Sequence, residues 1–328
     1  MTDLFSDILG HENVKNGLIH ATQTGHMHHA FLFIGPEGIG KGLLGKAFIQ
    51  AWLCEQTTQE KLARCQCCHN CKRIAGGTHP DFIEIIEESA SIKIDTIRDL
   101  QKRLSFPPFE SERRFVMIHD IHKMQDAAAN CLLKTLEEPE AHTTFILITS
   151  QIQRLLPTIV SRCQVVRFAP FSVNEISQFL IRQGVSPDIS GQLAALSNGS
   201  LSKALDLNQG DYKTEVIDTF EDIIKTGSIL DAFSTAALLK GKKSMADHLL
   251  SLLLAYTRDL LVLKTSPDSP IILENYRAQM LSKLPQTSTQ DLIRCIQLIQ
   301  EVNESFSGNL NEQVVWERLL VGMHGVLF

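Results

Sequence analysis

The chain lacks the excess of positive charge that a protein needs to coat nucleic acid unaided. Its 31 Lys and Arg stand against 37 Asp and Glu, a formal net charge of -6, and the pI is near 6.1. Contact with DNA is therefore expected to be shared with partners or confined to a local basic face. A basic and apolar leader is also missing from Met1-Thr2-Asp3-Leu4-Phe5-Ser6-Asp7, which excludes a secretory signal there. No apolar run reaches bilayer length. The most apolar helical pattern, Met245 to Lys264, is broken by Asp247, His248, Arg258 and Asp259, and such groups are costly in hydrocarbon. These absences predict a cytoplasmic protein. There is no repeat of fixed period and no low-complexity tract.

What remains is an ordinary globular composition, 44% hydrophobic and 21% charged over 328 residues, long enough for two or three domains. Five short apolar runs read as buried strands: Phe31 to Ile34, Phe82 to Ile86, Phe115 to Ile118, Phe145 to Ile148 and Gln164 to Phe168. Amphipathic stretches between them, including Thr96 to Leu104 and Ala127 to Glu138, predict a parallel sheet flanked by helices. Pro170 and the cap signals Ser172 and Asn174 open a helical region, Glu175 to Gly184, Ile189 to Ser197 and Leu201 to Leu207. A longer helical stretch follows Gly210, with breaks near Gly227, Lys240-Gly241, Pro267 to Pro270 and Gly308.

After the first strand comes Gly35-Pro36-Glu37-Gly38-Ile39-Gly40-Lys41-Gly42. A strand, a glycine-rich turn and a helix form the setting of a phosphate loop, in which backbone N–H groups and a helix N-terminus hold phosphates and Lys41 supplies a point charge. The Ser or Thr that ligates magnesium after that lysine is Gly42 here, and glycine offers no ligand. A glycine-rich turn with no ligand is the plainer alternative. The third strand ends in His119-Asp120-Ile121-His122, where a P-loop ATPase carries one acid for the metal shell and one for the attacking water. With His119 in the first place and Asp120 in the second, the metal-shell carboxylate is lost; a shift of one residue loses the other. His119 and His122 read as polar rim residues rather than a metal pair, since no third ligand is evident.

Five of the eight cysteines cluster. Cys65-x2-Cys68-x2-Cys71, with Cys54 as the fourth, suits a closed tetrahedral site for structural Zn2+, able to hold an irregular excursion that has little core of its own. Cys67 is then spare. The spacing also admits Cys67 in place of Cys54 or Cys68, or His69 as a ligand, and an iron–sulfur cluster would find no redox partner here. Cys131, Cys163 and Cys295 read as small buried residues.

His29 to Lys41, Leu132-Leu133-Lys134-Thr135-Leu136-Glu137-Glu138-Pro139 and Leu156 to Cys163 are similar in order and spacing to bacterial clamp-loader AAA+ subunits. The resemblance covers Asp7 to Leu207 by motif, and the remainder by helical character. It implies an AAA+ α/β domain over 1–168 with a zinc module at 54–71, a helical lid over 169–208 and an all-α collar over 209–328. The departures at Gly42 and His119 fit the delta-prime branch, whose members complete the ring rather than burn ATP. Ser202 agrees, standing where a motor subunit carries a nucleotide-sensing Arg. The alternative is an ATP-hydrolysing motor of the gamma or tau type.

On this resemblance Gly35, Gly38, Gly40 and Lys41 form a degenerate nucleotide site. Arg162, in Ser161-Arg162-Cys163, serves as an arginine finger acting in trans on a neighbour's nucleotide. The plainer reading of Arg162 is an ordinary ion pair. Lys134 and Glu137-Glu138-Pro139 look structural and interfacial. The partners implied are gamma or tau motor subunits and the delta subunit, with the sliding clamp and primer-template DNA reached through the assembly. The chain would belong to a polymerase holoenzyme without being a polymerase or an active ATPase itself.

Overall fold

Strands β1 (Ala30–Ile34), β3 (Arg114–Ile118) and β4 (Thr143–Thr149) are buried at every position. A parallel sheet covered by helices on both faces requires such near-continuous apolar runs. With β2 (Phe82–Ile85) and β5 (Gln164–Arg167) they form a five-stranded parallel sheet in the order β2-β3-β4-β1-β5. Its register pairs Ala30 with Phe145, Phe31 with Gln164 and Phe115 with Thr144. The edge strands are the less buried ones.

The computed structural model describes residues 8–23, 27–56, 64–87, 91–140, 142–208, 210–225, 228–285, 287–306, 311–324 and 326. The N-terminal segment Met1 to Asp7, the breaks at Gly227 and Gly308, and 57–63 within the excursion lie outside these residues. Two compact units result, Met1–Phe171 and Ser172–Phe328.

In the first unit the chain runs α1 (Glu12–Gln23), β1, α2 (Lys41–Leu53), α3 (His69–Ala75), β2, α4 (Ile94–Leu104), β3, α5 (Asp126–Glu137), β4, α6 (Pro157–Val160) and β5. Alternate residues Leu32, Ile34, Val116, Ile118, Phe145 and Leu147 share a core with Leu100, Leu104, Leu132 and Leu136 of α4 and α5. On the intervening positions, Phe31 meets Phe48 of α2 edge to face, 6.4 Å between ring centroids. This strand periodicity sends successive side chains to opposite faces.

The second unit contains, among its described residues, only helices. They are α7 (Val173–Arg182), α8 (Pro187–Leu196), α9 (Leu201–Leu207), α10 (Gly210–Lys225), α11 (Ile229–Leu238), α12 (Lys243–Thr265), α13 (Arg277–Lys283), α14 (Thr289–Phe306) and α15 (Glu312–Met323), with a short helical turn at Glu274–Tyr276. A capping box at Ser172 and Glu175 starts α7, as the cap signals predict. Among the described residues no helix is long and apolar enough to cross a membrane.

Candidate functional site

Parallel pairing brings the ends of β1, β3 and β4 to one edge, where Gly35, His119 and Ser150 follow them. Open α/β sheets hold ligands at this carboxyl edge. Gly38 and Gly40 have φ of 72° and 92°, a conformation that side chains disfavour. A Cβ on Gly35 would lie 2.6 Å from the Phe168 carbonyl oxygen. The loop therefore has backbone reasons for all three glycines.

Lys41 turns inward. Its Nζ donates to the Gly35 oxygen (2.7 Å) and the Pro36 oxygen (2.6 Å), and the residue is 7% exposed. Burial pulls the ammonium pKa down, against Glu37 and Asp120, which push it up. The loop itself satisfies the charge that a phosphate would otherwise meet.

Gly42 and His119 touch. A Cβ at Gly42 would lie 2.8 Å from His119 Cε1 and 3.6 Å from Nδ1, so a Ser or Thr there would strike the ring. The imidazole is held in place: Nε2 donates to Glu84 Oε1 (3.1 Å), and Lys46 Nζ donates to Glu84 Oε2 (2.9 Å). The His119 bond holds the Glu84 carboxyl below its usual range, with Lys46 assisting against burial. The imidazole thus fills the space beside a residue without a side chain.

His122 departs from the rim position expected of it. It is 9% exposed, lies in the single helical turn Ile121–Lys123, and has its Nδ1 3.3 Å from the hydroxyl of Thr149 in β4. Burial lowers its pKa. Its close neighbours are Glu37 and Asp120, and the three offer ligand atoms within 4.8 Å of one another. Asp120 is already paired with Lys123 at 2.8 Å, and Glu37 accepts from Ser150 at 3.1 Å.

At the other end of α2, Cys54 caps the helix. Its Sγ lies 3.6 Å from that of Cys65 and 4.0 Å from that of Cys68, and Cys65 to Cys71 is also 4.0 Å. All four sulfurs fall within 4.8 Å of one another. A cation bonded to four sulfurs at about 2.3 Å sits in a tetrahedron with edges of about 3.8 Å, so the donor set can bind a metal.

The backbone prepares these thiols. Cys68 N–H donates to Cys65 Sγ (3.2 Å) and Cys71 N–H to Cys68 Sγ (3.3 Å). Burial pushes the Cys65 thiol up, but the N–H groups of Cys67 and Cys68 overcome this and bring it down to about 6. The segment is tied to α2 by Arg64 donating to Gln50 Oε1 (2.9 Å) and Asn70 donating to the Leu53 oxygen (2.9 Å). Cys67 is exposed and outside the group. Cys163 and Cys295 are buried, whereas Cys131 is only partly so.

Arg162 follows α6. Its Nη2 lies 2.6 Å from Glu137 Oε1, and its Nη1 donates to the Thr158 oxygen at 3.0 Å. The plainer ion-pair reading is therefore met within this chain, and Glu137 acquires a definite contact. Lys134 and Glu138 are exposed, as is Ser202 on α9 of the second unit. Glu84 and Lys46 were not singled out from sequence. The available signal for Glu84 was a lone carboxylate interrupting the apolar run Phe82-Ile83-Glu84-Ile85.

The family described as DNA polymerase III, delta subunit, matches residues 10–172. The chain is 30% identical to DNA polymerase III subunit delta' of Bacillus subtilis over 313 residues, covering 93% of each. With the subunit delta' of Escherichia coli it shares 36% identity over 198 residues, 59% of this chain and 58% of that protein. With the subunit tau of Bacillus subtilis it shares 27% over 348 residues, 97% of this chain and 61% of tau.

Proposed function

Because the chain belongs to the DNA polymerase III delta-prime family, we propose that it completes the clamp-loader ring without hydrolysing ATP itself. The contact of His119 with Gly42 carries this reading. Magnesium in a P-loop enzyme takes a hydroxyl and a carboxylate from these two places. Here neither exists, and the ring lies where a side chain at position 42 would begin. Lys41 bound to its own loop supports the same conclusion. The isolated chain should show no affinity for Mg-ATP up to millimolar concentration, which equilibrium dialysis would check. Saturable binding would favour a motor of the gamma or tau type.

In this role Arg162 reaches a nucleotide held by a neighbouring tau or gamma subunit, where a guanidinium stabilises charge developing on the transferred phosphoryl group. The residues 1–168 form the AAA+ domain, 169–208 the lid and 209–328 the collar, through which the chain joins motor subunits and the delta subunit. The assembly opens the sliding clamp and closes it on primed DNA in the bacterial cytoplasm, at the replisome. Cys54, Cys65, Cys68 and Cys71 hold Zn2+ as a structural ion, since four thiolates leave no open coordination position.

The deciding experiment is clamp- and DNA-stimulated ATP turnover by the reconstituted clamp loader carrying Arg162→Ala. A finger acting in trans is worth about 10³- to 10⁵-fold at the site it serves, and only some sites in the ring depend on this chain. The expected result is a clear but partial loss with assembly intact. Unchanged turnover would leave the chain as a mechanical ring member.

A further inference from the structure

We propose that Glu137 is the positioning residue for Arg162, an inference that rests on the in-trans reading above. Glu137 closes α5, and Glu138 follows it as the cap. Two carboxylates at a helix C-terminus are electrostatically misplaced, because that end carries the negative pole of the helix dipole. A residue that breaks a local rule is expected to be recovered by a tertiary contact. For Glu137 that contact is the guanidinium of Arg162, 2.6 Å away.

The turn bearing Arg162 is otherwise fixed by its own backbone. Ser161 N–H donates to the Pro157 oxygen (3.0 Å), Arg162 N–H to the Ile159 oxygen (3.2 Å) and Cys163 N–H to the Val160 oxygen (3.3 Å), while Ile159 and Cys163 are buried on either side. Only the long side chain is left to be oriented. Glu137 and the Thr158 oxygen engage one donor nitrogen each. The guanidinium has five N–H donors in a planar fork, and the Arg162 side chain remains 34% exposed. With Nη1 and Nη2 each engaged once, three of the five N–H donors are left for a phosphate.

The pair suits such a role by being weak. Half-exposed ion pairs are screened by solvent and salt, so Glu137 orients the arginine without committing it away from a triphosphate, which carries more charge. Without Glu137, the Arg162 rotamers have to be ordered anew at each turnover. That lost side-chain entropy corresponds to a rate penalty of roughly 3- to 10-fold.

The test uses the reconstituted clamp loader with clamp and primed DNA, comparing Glu137→Ala, Glu137→Gln, Arg162→Ala and the double variant Glu137→Ala/Arg162→Ala. Glu137→Ala is expected to lower kcat by part of the Arg162→Ala loss, the penalty of about 3- to 10-fold falling only on the site this chain serves, while KM for ATP stays the same. Glu137→Gln keeps the shape and one acceptor oxygen, so it should recover part of the loss. In the Arg162→Ala background the Glu137 change should do nothing further.

A kcat that is unchanged or raised in Glu137→Ala overturns the proposal, as does a further loss of the same fold when Glu137→Ala is added to Arg162→Ala. If Glu137→Ala does not assemble, Glu137→Gln carries the comparison, and wild-type kcat in an assembled Glu137→Gln complex overturns the proposal. Should Arg162→Ala itself leave turnover intact, the in-trans reading fails first, and that result is distinguishable from a failure of Glu137 alone.

Discussion

The two ends of α2 (Lys41–Leu53) put one helix to opposite uses. At its N-terminus the glycine-rich loop is closed by the protein's own groups: Lys41 donates to Gly35 and Pro36, and His119, braced by Glu84 and Lys46, lies against Gly42. At its C-terminus four sulfurs converge to tetrahedral spacing with only weak S–H bonds and backbone N–H groups to answer them. The contrast teaches how to read a ligand site. Polar groups that satisfy one another leave little for a ligand to bond, whereas convergent donors without such partners are arranged to take one.

The sharpest break in that comparison is at the cysteines. Replacing Cys68 by Ser in the full chain should abolish tight metal binding and cost the 64–76 segment several kcal/mol of local stability, a fraction of the roughly 10–16 kcal/mol typical of structural zinc. Metal analysis, together with hydrogen exchange at the Cys68 and Cys71 amides, would measure this. Full protection in metal-free protein would show that the four thiols are held by packing alone.

A smaller effect is expected at the opposite end. Gly42→Thr should destabilise the first unit by about 1–3 kcal/mol, because the new side chain meets a tethered ring in a filled site. Removing the ring in Gly42→Thr/His119→Ala should relieve most of the strain, giving a coupling energy of at least about 1 kcal/mol in urea unfolding. Additive effects would mean that the two residues are independent departures after all.

Lys41→Ala should matter least. It removes two charge-assisted hydrogen bonds to carbonyls of the loop, each worth about 1.5–3 kcal/mol before those carbonyls regain water, but clamp loading on primed DNA should remain nearly intact. A severe loading defect with unaltered stability would reopen the nucleotide site.

Much of the fold was legible because its signals are local. The five apolar runs became β1 to β5 within a residue or two of their expected bounds, since buried parallel strands need unbroken apolar stretches. Helices α4, α5 and α7 to α9 likewise follow amphipathic patterns and cap residues. That Gly stands at position 42 and His at position 119 could each be seen in the sequence. Their mutual contact could not, because it joins the first turn of α2 to the end of a strand two positions away in the sheet. His122 was misread as a rim residue because nothing in Ile121-His122-Lys123 announces that the turn folds inward.

By itself the sequence determined the parallel α/β layout, the frame of the phosphate loop, the spacing of the four thiols and the motifs of the clamp-loader family, all of which depend on residues close together in the chain. Tertiary structure alone decided that His119 occupies the space beside Gly42, that Glu84 holds it there and that Glu137 answers Arg162. The reason is physical: secondary structure follows the period of neighbouring residues, while these pairs are set by strand register and side-chain packing between distant segments.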